Sequence, residues 1–180
     1  MVRWRSTPAD GAADVSETDV ALLLIRVVLG VTMAAHGVAK LRGGISGVAS
    51  WFDGMGMRPG WLHARLAAFG EIAAGLCLAF GFLTSFAALG FVGLMTVAAL
   101  TDHRGKGFFI LNQGWEYVMV LAVAAVTIAM LGPQRWSVDR ALGIDGDLDG
   151  FVGLAIAAGG GVVAALALLE AFYRPPDAAS

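Results

Sequence analysis

The sequence has a single cysteine, Cys77, so the chain can form no internal disulfide and offers no C-x-x-C redox or metal motif. Charge is also scarce. Asp, Glu, Lys and Arg make up 14% of the 180 residues, against about 25% in soluble domains. That deficit argues against water as the main solvent. A net charge of −2 gives no electrostatic reason to expect a nucleic-acid partner. In place of charge there is apolar surface. Hydrophobic residues are 58% of the chain, and the mean hydropathy is +0.75. Glycine is plentiful at 25 residues, as close helix packing in lipid often requires. The length suits one domain.

Residues 1–19 are polar and include Pro8 and Gly11, which reads as a flexible tail. A secretory signal needs a short apolar core directly after a basic start. Here the first apolar run begins near Val20 and is too long, so it reads as a retained helix.

A membrane-spanning helix needs about 20 predominantly apolar residues. Five segments fit, at about 20–41, 62–83, 85–100, 115–131 and 151–173. The fourth stops at Gly132-Pro133, because proline cannot continue a helix without losing a hydrogen bond. The fold class is therefore all-α, a polytopic membrane helix bundle. Between the first two spans, Ile45, Val48, Ala49, Trp51 and Phe52 suit either a helix lying along the membrane or a plain loop. Lys40, Arg42, Arg58, Arg65, Arg104, Lys106 and Arg174 fall on the side opposite the N-terminus, here called side B. Arg3, Arg5, Arg135 and Arg140 fall on the N-terminal side, side A. The excess marks side B as cytoplasmic by the positive-inside rule.

Ionisable side chains interrupt or flank these apolar runs. A charge in hydrocarbon costs roughly 2.5–3.5 kcal/mol on insertion scales, so such residues usually face the bundle interior or a partner. His36 and Lys40 are one turn apart and share a helix face. Glu71 lies too deep to reach water easily, and Arg26 or His36 is its expected partner. Asn112, Glu116 and Tyr117 open the fourth span on side B. Each has a plainer alternative: Lys40 can snorkel to headgroups, Arg26 can be a purely structural ion-pair member, and Glu116 with Asn112 can cap a helix. Their convergence on side B points to a polar pocket between the first, second and fourth spans, lined by His36, Lys40, Glu71, Asn112, Glu116 and Tyr117.

Two further patterns stand out. Gly153, Ala157, Gly161 and Ala165 form a four-residue stripe on the fifth span. Such a stripe suits packing within the chain's own bundle or a homodimer contact. Asp145, Asp147 and Asp149 match the start of a calcium loop. The twelfth position is Ile156, where a bidentate glutamate is needed, so a solvated acidic linker is the better reading.

The order of Arg26, Leu29-Gly30, His36-Gly37, Lys40-Leu41, Trp51-Phe52-Asp53-Gly54, Gly70-Glu71, Gly81-Phe82-Leu83-Thr84, Asn112-Gln113-Gly114-Trp115-Glu116-Tyr117 and Trp136-Ser137-Val138-Asp139 resembles the DoxX family of small membrane proteins. The resemblance runs over about 20–143. It implies a four-helix bundle in the plasma membrane, associated with thiosulfate- or quinone-linked oxidoreductases and with complexes for oxidative-stress defence. It also puts His36, Lys40, Glu71, Asn112 and Glu116 at the family's polar positions. This chain departs from the pattern by adding a fifth helix and by lacking paired cysteines.

The expected organisation is a tail at 1–19, a DoxX-like four-helix core at 20–143, an acidic linker at 144–150, a fifth transmembrane helix at 151–173 and a tail at 174–180. The expected function is a multi-pass plasma-membrane subunit of a redox system. A quinone or similar apolar ligand would bind in the side-B pocket, with lipid and redox proteins as partners. No cofactor is fixed by the residues, no metal is expected, and catalysis by the chain alone is left open. The rival readings are a non-catalytic assembly protein and, against the lack of inverted halves, a small proton-coupled transporter.

Overall fold

The computed structural model describes residues 15–175. Of the expected tails at 1–19 and 174–180, residues 1–14 and 176–180 lie outside the described residues. Seven helices make up the described chain: α1 (Glu17–Arg42), α2 (Ile45–Met55), α3 (Gly60–Phe80), α4 (Thr84–Leu100), α5 (Glu116–Leu131), α6 (Val138–Leu142) and α7 (Gly150–Phe172). A π-helical stretch, Ala155–Gly160, interrupts α7. No strand occurs among the described residues beyond an isolated bridge between Met57 and Tyr173. The molecule is a membrane helix bundle.

α1 begins three residues earlier than the hydropathy pattern indicates, and a cap explains it. Ser16 Oγ accepts from the Asp19 amide at 3.1 Å while the Asp19 carboxylate accepts from the Ser16 amide at 3.0 Å. This reciprocal box satisfies two amides that a helix start leaves open. The segment after α1, which suited a helix or a loop equally, is a helix. α2 buries Phe52 against Met57, Ala64 and Leu169 and leaves Trp51 exposed.

α3 stops at Phe80 rather than near residue 83, because Gly81 turns into the left-handed region at φ 63°. The Phe82 amide closes back on the Cys77 carbonyl at 2.8 Å. A side chain at Gly81 would also meet Arg26 Nη1 at 2.5 Å, so both backbone conformation and space select glycine.

α1, α3 and α7 are long and apolar enough to cross a membrane, while α4 and α5 are shorter apolar helices of 17 and 16 residues. α4 is central, touching α3, α5 and α7. Its Ala88 and Phe91 are fully buried with Leu78 and Ile128 in the main core. α1 packs along α3, where small residues bring the two backbones together. A Cβ on Gly30 would run into the Gly75 carbonyl, and one on Gly37 into the Ala68 carbonyl.

The stripe on α7 faces inward. Gly153, Ala157, Gly161 and Ala165 are all buried. A Cβ on Gly153 would collide with the Ala129 carbonyl of α5, and one on Gly161 would lie 2.9 Å from the Leu89 carbonyl of α4. Of the two uses that suit this stripe, packing in the chain's own bundle is the one observed. A homodimer built on these residues would first have to unpack them. The end of α7 is tied to the start of α3: the Arg58 amide donates to the Phe172 carbonyl at 3.1 Å, and the Arg174 amide to the Gly56 carbonyl at 2.7 Å. The fifth long helix is thus built into the bundle.

Candidate functional site

The close approach of α1 and α3 places Lys40 against Glu71. Side chains on a helix lean toward its N-terminus. α1 and α3 run in opposite directions, so Lys40 leans inward from side B and Glu71 leans toward side B, and the two meet. Lys40 Nζ donates to both Glu71 carboxylate oxygens, at 2.6 and 2.8 Å. Glu71 is buried at 8% exposure, and Lys40 is half-buried. Lys40 therefore turns into the bundle instead of snorkelling outward, and it takes the place expected for Arg26 or His36 as partner of Glu71.

Arg26 is held elsewhere. It lies on the same helix nearer side A, and at 1% exposure it is among the most buried large side chains. Its guanidinium donates to the carbonyls of Pro133 and Trp136, in the turn between α5 and α6. Beside it, Asp139 accepts from the Leu83 amide at 2.7 Å, the Thr84 amide at 2.9 Å and Thr84 Oγ1 at 2.7 Å, which caps α4. This side-A knot joins α1, α4 and α6. Asp139 and Thr84 were missed as functional side chains from sequence, although Trp136-Ser137-Val138-Asp139 belongs to the quoted resemblance. Only the return of α6 onto the α3–α4 turn reveals their role.

The other expected pocket residues do not join Lys40 and Glu71. His36 is exposed on α1. Asn112 and Tyr117 are exposed as well, and the Glu116 carboxylate accepts from the Ile110 amide at 2.9 Å, closing the loop before α5. The physical reason is helix pairing. α5 packs along α4 and α7 rather than along the side-B half of α1 and α3, so its first turn serves the α4–α5 loop. Lys106 braces the same loop through Asp102 at 3.2 Å and Gln113 at 3.0 Å.

The acidic segment before α7 is likewise distributed. Arg140 Nη1 donates to Asp145 at 2.6 Å. That hydrogen bond holds the Asp145 carboxyl below its usual range and lifts the Arg140 guanidinium above its own. Asp149 lies against Gly132. Among the described residues, no group of three or more His, Cys, Asp or Glu side chains is placed to hold a metal ion. Between α1 and α3 the chain thus pairs one ammonium nitrogen with two carboxylate oxygens.

The DoxX family model matches residues 21–104. Over that segment the chain is similar to the DoxX family. The matched segment runs from α1 to just beyond α4 and contains Arg26, Lys40 and Glu71, while Asn112, Glu116 and Tyr117 follow it. The chain is 27% identical over 124 residues to "Inner membrane protein YqjF" of Escherichia coli K12, covering 69% of this chain and 93% of that one. It is 26% identical over 121 residues to "Putative oxidoreductase CatD" of Bacillus subtilis 168, covering 67% of this chain and 86% of that one. No solved structure matches the chain. With the fold, these findings describe a membrane helix bundle with a DoxX-like segment.

Proposed function

We propose that this protein is a plasma-membrane subunit of a redox system, binding a quinone or similar apolar ligand and handling protons at the Lys40–Glu71 pair. The observation that carries the reading is that pair, held within the DoxX-like segment by close packing of α1 on α3. Keeping both charges away from water is costly unless they are well paired, so a glutamate at this depth is a functional candidate by default. The similarity to the protein named "Putative oxidoreductase CatD" supports the redox context. The lone Cys77 offers no dithiol centre, so electrons would come from a partner protein rather than from this chain.

Mass spectrometry of the protein gently extracted from its membrane tests the reading. The expected result is bound quinone together with a co-purifying oxidoreductase subunit. A stoichiometric partner with no quinone would instead assign an assembly role. That second reading has its own support, because Arg26, Lys40, Glu71 and Asp139 all find partners inside the chain.

The proposal includes five crossings, with α4 and α5 spanning beside the three longer helices. The N-terminus and the C-terminus then lie on opposite sides. Cysteines introduced singly at Ser6 and Ser180, in a Cys77→Ser background, should react with an impermeant thiol reagent from opposite faces of oriented vesicles. Labelling of both from one face would mean an even number of crossings.

A further inference from the structure

The loop between α4 and α5 carries an apolar patch that no packing among the described residues covers. Phe108, Phe109, Ile110 and Leu111 are all exposed, Phe109 at 62% and Leu111 at 93%. Residues 107–113 include no charged side chain. Single exposed apolar residues are ordinary on a protein, whereas a contiguous patch of large ones marks an interaction surface.

The patch sits on a closed loop rather than on slack chain. The carbonyls of Gly107, Phe108, Phe109 and Ile110 accept, in that order, from the amides of Trp115, Glu116, Asn112 and Gln113, at 2.8–3.3 Å. The Glu116 carboxylate takes the Ile110 amide at 2.9 Å. Phe108 stands edge-on to Phe109 and to Trp115, with ring centres 5.3 and 4.9 Å apart. The loop thus turns polar backbone onto itself and large side chains outward. Backbone that leaves water must have its polar groups satisfied by the protein, and the carbonyls from Gly107 to Ile110 meet that condition.

Helix lengths set the level of this loop. α3 and α4 share their side-A end through the tight turn at Gly81–Leu83. α4 has 17 residues against 21 in α3, so its side-B end stops about 6 Å below the level at which α3 begins. We infer that the closed α4–α5 loop fills this step and anchors the protein in the side-B leaflet. Phe108, Phe109, Ile110 and Leu111 lie among the upper acyl chains, and the exposed Arg104 meets the lipid phosphates. Three coverings can be compared. Water would leave the apolar side chains exposed. A partner protein would have to reach down past the level where α3 emerges. Lipid is already at that level, and about 5–10 Å below the headgroups is the depth that interfacial apolar faces take. The inference goes beyond the redox reading and shares with it only the crossing of the membrane by α4 and α5.

The test places single cysteines by Leu111→Cys, Arg104→Cys and Val123→Cys in a Cys77→Ser background, spin-labelled on the full chain in phosphatidylcholine liposomes. Collision with oxygen and with a water-soluble nickel chelate gives the depth of each label. Val123 is exposed at the middle of α5 and is the reference for a crossing helix. The label at Leu111 should lie about 5–10 Å below the lipid phosphates, the one at Arg104 at or above them, and the one at Val123 near the bilayer centre. Glu116→Ala, which frees the Ile110 amide, should move the label at Leu111 outward until its nickel access matches that at Arg104. Equal nickel access at Leu111 and Arg104 without that change, with Val123 deep, would overturn the anchor alone and make the patch a docking surface for protein. Nickel access at Val123 would overturn the five crossings and the anchor together. An unmoved label at Leu111 in Glu116→Ala would overturn the part given to loop closure. Should Glu116→Ala not fold, the depths of the three labels still decide.

Discussion

Glu71→Ala is expected to destabilise the protein by roughly 2–4 kcal/mol, because it strands the half-buried Lys40 ammonium among apolar neighbours. The lower end reflects the partial exposure of Lys40, which lets its flexible stem seek a headgroup. The double variant Lys40→Met/Glu71→Leu should recover most of that loss, since two apolar side chains of similar volume replace two mutually dependent charges. Reversible unfolding in mild detergent reads both quantities. If Glu71→Ala costs under about 0.5 kcal/mol, within the range of ordinary surface substitutions, the pair is screened by solvent and is no intramembrane centre. The same double variant separates stability from function. A pair that serves only packing loses no proton or redox coupling in it, whereas a working pair loses that coupling while the fold is retained.

Asp139→Ala should be at least as damaging, by about 3–5 kcal/mol, through a different mechanism. The carboxylate accepts three hydrogen bonds at the start of α4, and its charge also acts on Arg26. Alanine leaves two backbone amides and a hydroxyl without acceptors and removes the anion beside a buried guanidinium. Asp139→Asn keeps one acceptor oxygen and should lose about half as much. Proteolysis of the α3–α4 turn gives a local check, since fraying at Leu83–Thr84 is expected in the alanine variant and not in wild type. Equal stability of the alanine variant and wild type would show that water or backbone rearrangement replaces the cap.

The composition and the five apolar runs were enough to read an all-α membrane bundle, because the need to satisfy backbone polar groups inside lipid leaves helices as the natural solution for such runs. Several helix ends lie within a residue of the apolar runs, as at Leu100, Phe172 and the Gly132-Pro133 stop. The α1 start was missed because a capping box acts through serine and aspartate, which hydropathy counts as tail. The α3 end was missed because Phe82 and Leu83 are as apolar as the helix they follow, and only the positive φ of Gly81 separates them. The inward use of the α7 stripe could not be chosen over an outward one, since small-residue spacing is the same for an intramolecular and an intermolecular neighbour.

The candidate site divides along the same line. Glu71 was legible as a residue needing a partner, because depth along a helix follows from counting. Its partner was not, because partner choice depends on the direction in which side chains lean and on which helices are neighbours. Arg26 and Lys40 lie on one helix, yet one reaches the side-A knot and the other reaches Glu71. The sequence by itself determined the solvent of this protein, its helical class and the presence of charges that must be paired. The tertiary structure decided the pairs, because glycine contacts between α1 and α3 and the packing of α5 on α4 choose which polar groups come within hydrogen-bond reach.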